Sequence, residues 1–237
     1  MIARTFVVGL LFFLYVLSLI PLIIICALIR AREPLLAFSR FLMRLNRAVL
    51  GLKVIVEGLP EVDASHPVVY MADHQSFLDG PLLFLLVPSS PRIIIKASVF
   101  RIPIFGLGMR YVGFVPVDRR GARGGRAGIE KAAALMRDRK YSFLIFPEGT
   151  RSRDSRIQPF RRGGFFLAIA AGAPIVPVTV EGTFRLMPRG RWVPRRGTIR
   201  VAFHPAVETA GTTQDLMAGL MNQVRGTIVS GFKGDVP

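Results

Sequence analysis

The chain has 237 residues, 51% of them hydrophobic, and a formal net charge of +17. That length holds one domain with a large core and argues against a second globular domain. The charge calls for an acidic partner, and with no zinc-finger spacing, no RNP-type aromatic motif and no basic helix free of apolar context, nucleic acid is not expected.

In chain order, the first element is an apolar run from Thr5 to Ile29 that carries no charged side chain. It is long enough to cross a bilayer core of about 30 Å at about 1.5 Å per residue, and it predicts a membrane-anchoring helix. A cleaved signal peptide would have a shorter apolar core and a small-residue cleavage site, and none follows Ile29. Pro21 leaves two arrangements open, a kinked single span or a segment that enters and returns. Arg30, Arg32, Arg40, Arg44 and Arg47 follow the run and only Arg4 precedes it. The expected location is therefore an inner or plasma membrane with the bulk of the protein facing the cytoplasm. Cys26, the only cysteine, lies inside this run, which excludes an intrachain disulfide framework and a cysteine metal cluster.

Leu35, Phe38, Phe41, Leu42, Leu45 and Val49 then recur at helical spacing, with Arg40, Arg44 and Arg47 on another side. Two readings fit: an interfacial helix against headgroups, or a helix packed on the domain with a solvated arginine face. Residues 1–50 are thus read as a membrane helix plus an amphipathic helix, and 51–237 as the globular domain. Beside such an anchor, anionic membrane lipid is the simpler acidic partner, each basic residue near the surface contributing about 1 kcal/mol.

Short β-branched runs follow: Lys53–Val56, Val68–Met71, Arg92–Ile95, Val112–Val117, Phe143–Phe146, Ile175–Val180 and Ile199–Phe203. They predict strands. Helices are predicted over Phe77–Leu86, Gly128–Arg139, Gly164–Ala171 and Gln214–Ser230. Alternating strands and helices indicate an α/β layered domain with a largely parallel or mixed sheet flanked by helices. The glycines of Arg119–Arg126 predict a basic loop, and Arg185–Arg196, around Trp192, predicts a second one. The second is either a flexible connection or a membrane-contacting flap.

His74 and Asp79 are the candidate catalytic residues. A carboxylate on one imidazole nitrogen fixes the tautomer and stabilises the imidazolium formed after proton removal. On an unbroken helix these positions would lie about 140° apart, so the pair needs a break between them. Val68–Met71 as a strand and Ser76–Asp79 as an N-cap with its first turn supply it. The alternative is that Ser76 and Asp79 only cap a helix and His74 is a solvated loop residue. After Phe143–Phe146 comes Pro147-Glu148-Gly149-Thr150-Arg151-Ser152, where glycine, hydroxyls and a guanidinium at a strand end suit a phosphate. Alone, this could also be an ordinary turn.

Together these segments resemble the glycerolipid acyltransferase family, typified by 1-acylglycerol-3-phosphate (lysophosphatidic acid) acyltransferases, over roughly Leu52–Phe203. The His-x4-Asp motif matches His74 and Asp79. A glycine-containing strand ending in Asp-Arg matches Gly113–Arg119, and Phe-Pro-Glu-Gly-Thr-Arg-Ser matches Phe146–Ser152 completely. A short apolar run with proline matches Ile175–Val178. Four motifs in order make the match specific. There are departures: Asp73 stands where members often have asparagine, Lys96-Ala97-Ser98-Val99 lacks the acid of the usual Lys-x-Glu-Leu, and Phe160-Arg161-Arg162-Gly163 replaces Phe-Lys-Lys-Gly. They bear on the acceptor more than on the reaction.

The resemblance implies that residues 51–237 form a catalytic domain and that the chain moves a fatty acyl group from acyl-CoA or acyl-carrier protein to the sn-2 hydroxyl of 1-acylglycerol 3-phosphate. The product would be phosphatidate, for phospholipid biosynthesis. His74 would be the general base and Asp79 its orienting carboxylate. Arg151, Arg119 and Lys96 would grip the acceptor phosphate, with Glu148, Gly149 and Thr150 shaping the pocket around the glycerol. Glu148 making a structural bond to neighbouring backbone is the alternative. Transfer would be direct, with Ser76 left open as a nucleophile. No metal site is expected, since His66 and His204 stand apart from other ligands, and no cofactor beyond the acyl donor is implied. A lyso-aminolipid such as lyso-ornithine lipid is the alternative acceptor. The more distant alternatives are a noncatalytic protein that binds anionic membrane, and a hydrolase, for which the Gly-x-Ser-x-Gly elbow is missing.

Overall fold

A computed structural model describes residues 2–58, 66–88, 91–118, 122–191, 193–213 and 215–234. Two helices, α1 (Ile2–Leu28) and α2 (Glu33–Val49), lead into β1 (Leu52–Glu57), β2 (Val69–Ala72), α3 (Asp79–Leu86) and β3 (Arg92–Lys96). A 3-10 turn (Ala97–Arg101) precedes α4 (Phe105–Tyr111), β4 (Val115–Val117), α5 (Ala122–Arg139) and β5 (Phe143–Ile145). There follow α6 (Gly163–Ala171), β6 (Ile175–Glu181), α7 (Thr183–Leu186), β7 (Gly197–Phe203) and α8 (Met217–Ser230).

The strands form one seven-stranded mixed sheet in the order β1-β7-β6-β2-β5-β3-β4. From β6 to β4 neighbouring strands are parallel, whereas β7 runs antiparallel to β6 and parallel to β1. Helices cover both faces, so the central strands are apolar on both sides rather than alternating. Along β2, Tyr70 and Ala72 enter the core shared with α1, α2 and α3, while Val69 and Met71 enter the core shared with α5, α6 and α8. This period of two is what a strand dictates.

Three expectations are corrected. The strand expected over Val112–Val117 is shortened to Val115–Val117, because Val112 and Gly113 end α4. Gly113, at φ +92°, donates to Arg110 O (3.2 Å) and Phe114 donates to Met109 O (2.9 Å), the paired bonds of a glycine-terminated helix. The helix α4 itself had no clear sequence signal. The basic segment expected as a loop over Arg119–Arg126 is helical from Ala122 onward. Further along the same helix, Gly128 serves close approach: a Cβ there would stand 3.0 Å from Pro116 O and 3.4 Å from Val117. The second basic loop contains α7 over its first two residues, and Trp192 lies outside the described residues.

The carboxyl-terminal half of α1 packs on the domain. Leu19, Ile23 and Cys26 are buried, Ile23 stands against Gly108, and the Tyr111 hydroxyl reaches the carbonyls of Cys26 and Ala31. Leu17, Ile24, Ile25 and Leu28 on the same helix are exposed. Among the described residues no helix is long and apolar enough to cross a membrane. α2 buries Leu35 and Leu36 but leaves Phe41, Leu45 and Val49 exposed. It is therefore both packed on the domain and apolar outward.

Candidate active site

The chain leaves β2 at Asp73 and turns into α3 at Asp79, at the carboxyl edge of the parallel strands where ligands of such sheets collect. In that turn Asp79 folds back over the preceding residues. Its Oδ2 accepts the main-chain N–H groups of Gln75 (2.8 Å) and Ser76 (2.7 Å) and lies 2.9 Å from His74 Nδ1. A carboxylate in the first turn of a helix reaching back to free amides is a capping arrangement, and here the same oxygen also holds the imidazole. The proton belongs on Nδ1, which leaves the Nε2 lone pair as the base. The Asp79 side chain is 0% exposed and that of His74 19%. The carboxylate is therefore shielded while the base can be reached.

His74 is held from three further directions by the segment after β5. Its ring stacks on Phe146 at 4.0 Å between centroids and 19° between planes. Its N–H donates to Glu148 Oε1 (2.7 Å), and its carbonyl accepts from Ser152 N (2.8 Å). The other Glu148 oxygen accepts from Gln158 N at 2.8 Å. The two motifs, some seventy positions apart in sequence, meet because β2 and β5 are adjacent parallel strands.

Glu148 is 3% exposed, and burial pushes its carboxyl up to about 7; the amides of Gln158 and His74 oppose that rise and neighbouring Asp79 adds to it. Asp73 is fully buried. Burial first and the nearby Asp79 second hold its carboxyl well above the usual range, against a 2.7 Å bond accepted from Val180 N. Ser76, left open above as a nucleophile, is also buried. Its hydroxyl donates to Met187 O (2.8 Å) and accepts from Leu78 N (3.2 Å), so it is committed to structure.

The remaining candidates line the same edge. The Arg151 guanidinium lies 5.9 Å from the ring centroid of exposed Phe77, beside the His74–Asp79 loop. Thr150 is exposed, and Gly149 (φ +72°) lies under Arg161, whose Nε would be 2.9 Å from an added Cβ. Lys96 is exposed at the end of β3, paired in register with Val117. Arg119 lies outside the described residues. The fold thus joins His74, Asp79 and Glu148 in one hydrogen-bonded cluster with Arg151 next to it, and places Lys96 and Thr150 along the rim. Phe146, Gln158 and Asp73 are parts of the site that sequence reasoning did not assign. For Asp73 a signal existed, an acid where the motif often has asparagine. His204 pairs with Thr179 Oγ1 at 2.8 Å instead of joining this cluster.

Chemically, this is an imidazole oriented by a buried carboxylate with a guanidinium beside its loop, an arrangement that can serve general base chemistry. A family model described as Acyltransferase matches residues 53–181. A chloroplast 1-acyl-sn-glycerol-3-phosphate acyltransferase of Brassica napus is 32% identical over 208 residues, covering 83% of this chain and 59% of its own length. One of Arabidopsis thaliana is 36% identical over 178 residues, covering 74% and 48%. This chain thus spans about half the length of these plant relatives. Among solved structures, the 1-acyl-sn-glycerophosphate acyltransferase of Thermotoga maritima superposes with a TM-score of 0.72 at 28% identity, over 85% of this chain and 80% of that one.

Proposed function

The chain belongs to the acyltransferase family, and from that premise we propose that it transfers a fatty acyl group from acyl-CoA or acyl-carrier protein to the sn-2 hydroxyl of 1-acylglycerol 3-phosphate, forming phosphatidate. The observation that carries the reading is the His74 site: Nδ1 on a buried carboxylate, Nε2 free to act, and Arg151 beside the loop. In the reaction, Nε2 removes the proton from the acceptor hydroxyl as its oxygen attacks the thioester carbonyl. Asp79 stabilises the imidazolium, which then protonates the departing thiolate. The ester C–O bond forms, the C–S bond breaks, and the proton passes from hydroxyl to thiol through His74. Arg151 binds the acceptor phosphate, with Lys96 and, by resemblance, Arg119 contributing charge along the same rim. Glu148 acts through His74 by holding its backbone.

The protein works at a membrane surface in this reading, with its catalytic edge toward the cytoplasm. Support comes from the exposed apolar side chains of α1 and α2 and from the +17 charge, which favours an anionic leaflet. The test is incubation of the purified chain with acyl-CoA or acyl-carrier protein and a panel of lysolipids, identifying products by mass. Phosphatidate is expected, with His74→Ala lowering kcat by roughly 10²- to 10⁴-fold and Arg151→Ala raising the acceptor KM by about tenfold. Full activity in His74→Ala would remove the proposed base. An acceptor KM indifferent to Arg151→Ala would point to a lysolipid without phosphate, such as lyso-ornithine lipid.

A further inference from the structure

A cavity of about 980 Å³ opens between α5 and α6. Its apolar wall is Ile94, Ile129, Ala133 and Ile145, all of which belong to or pack on the core shared with α5, α6 and α8. It therefore lies on the face of the sheet opposite α1 and α2. Phe146, Pro147 and Gly149 also line it, and the Phe146 ring, against which His74 stacks, packs on the opposite core, the one shared with α1, α2 and α3. Phe146 thus borders both the cavity and the base. Of the residues assigned to the acceptor above, only Gly149 lines this space.

The two sides of the molecule differ in chemistry. The α1–α2 side carries the exposed apolar residues Leu17, Ile24, Phe41 and Leu45. The α5 side is exposed and basic at Arg126, Lys131, Arg137 and Arg139. Three arginines, Arg126, Arg137 and Arg161, border the cavity against two acids, Asp118 and Glu130, and Glu130 is already paired to Arg126 at 2.8 Å. An apolar slot of ligand size with an excess of arginine at its mouth suits a long amide-containing chain ending in phosphate.

We infer that this cavity receives the phosphopantetheine arm of the acyl donor, so that the water-soluble donor and the lipid acceptor approach His74 from opposite faces of the sheet. This rests on the acyl-transfer reading, which supplies a donor of that class. Acyl-CoA and acyl-carrier protein share the arm. They differ in what meets the arginines, nucleotide phosphates in one and an acidic protein surface in the other.

Two substitutions lie outside the catalytic cluster and on exposed helix positions: Ala170→Trp, which fills the cavity from α6, and Arg137→Glu, which reverses charge at its mouth. Kinetics with each donor, varied at saturating acceptor and then the reverse, should show donor KM raised about tenfold, a 1.4 kcal/mol effect. Acceptor KM and kcat should stay within about twofold. Ala170→Trp should affect both donors alike, and the ratio of the Arg137→Glu effects should tell which donor the mouth fits. Calorimetry of CoA binding without acceptor should weaken by the same factor, and unchanged thermal melting should exclude misfolding. Unchanged donor KM in both variants, or a rise in acceptor KM instead, overturns the assignment. A wild-type chain that binds CoA in a way Ala170→Trp abolishes, yet acylates no lysolipid, would keep the site and sink the transfer reading.

Discussion

Two buried carboxyls beside His74 make this loop sensitive to pH in a direction opposite to that of an ion-paired acid. Glu148, raised to about 7, binds more protons folded than unfolded between its ordinary value of 4.5 and 7. Its contribution, on the order of 3 kcal/mol, is therefore complete below about 4.5 and lost as pH rises through 7. Asp73, also raised, acts with the same sign. Urea unfolding should show the wild type less stable at pH 8 than at pH 5. Glu148→Gln should shrink that difference: at pH 5 it should cost about 1–2 kcal/mol, because glutamine has one oxygen for the two amides that glutamate serves, and at pH 8 removal of the buried charge should offset that cost. Asp73→Asn keeps the acceptor for Val180 N and removes a buried acid, so it should raise the melting temperature at pH 8. A lower melting temperature there would mean that the carboxyl is needed in ionised form.

At the scale of elements, the site is placed by strand ends and braced by side chains from distant helices. The last turn of α3, the helix that begins at Asp79, is closed by Arg40 of α2, whose Nη2 donates to Val87 O (2.7 Å) and Leu85 O (3.2 Å). A half-buried guanidinium on free helix carbonyls favours both the hydrogen bonds and the helix dipole. Arg40→Ala should cost about 1–3 kcal/mol in chemical unfolding and loosen α3. Arg40→Lys should recover only part, having one point donor in place of a fork. At the opposite, amino-terminal end of β3, buried Arg92 stacks 3.8 Å over the Tyr141 ring and pairs with Glu33 at 3.2 Å. α2 is thus tied to β3 at its amino terminus and to the end of α3 at its middle, an arrangement that helical periodicity at 35–49 does not disclose.

For the whole molecule, charge and apolar exposure predict a measurable pattern of membrane binding. Vesicles rich in anionic lipid should bind the full chain more tightly than neutral ones. Raising salt from 0.1 to 1 M shortens the screening length from about 10 to about 3 Å and should remove that difference. Binding that persists on neutral vesicles measures the apolar part from α1 and α2. Loss of all binding in high salt would reduce α1 to a packing element of the domain.

The alternation of strands with the longer helices, the apolar strands, the two motifs and the helical face of 35–49 were legible because each depends on residue type and local period, whereas the short helices α4 and α7 were not. The sheet order, the meeting of His74 with Glu148 and Ser152, and the cavity between α5 and α6 were decided by tertiary structure. The stretch Ala122–Arg126 shows why: its glycines and arginines read locally as a loop, and only the packing of α5 beside β4 shows a helix there. Likewise Asp79 reads as a helix cap in sequence and is one in the fold. Only burial, and the imidazole brought to the same oxygen, couple that cap to His74, because a carboxylate's partners depend on which segments surround it and not only on its neighbours in sequence.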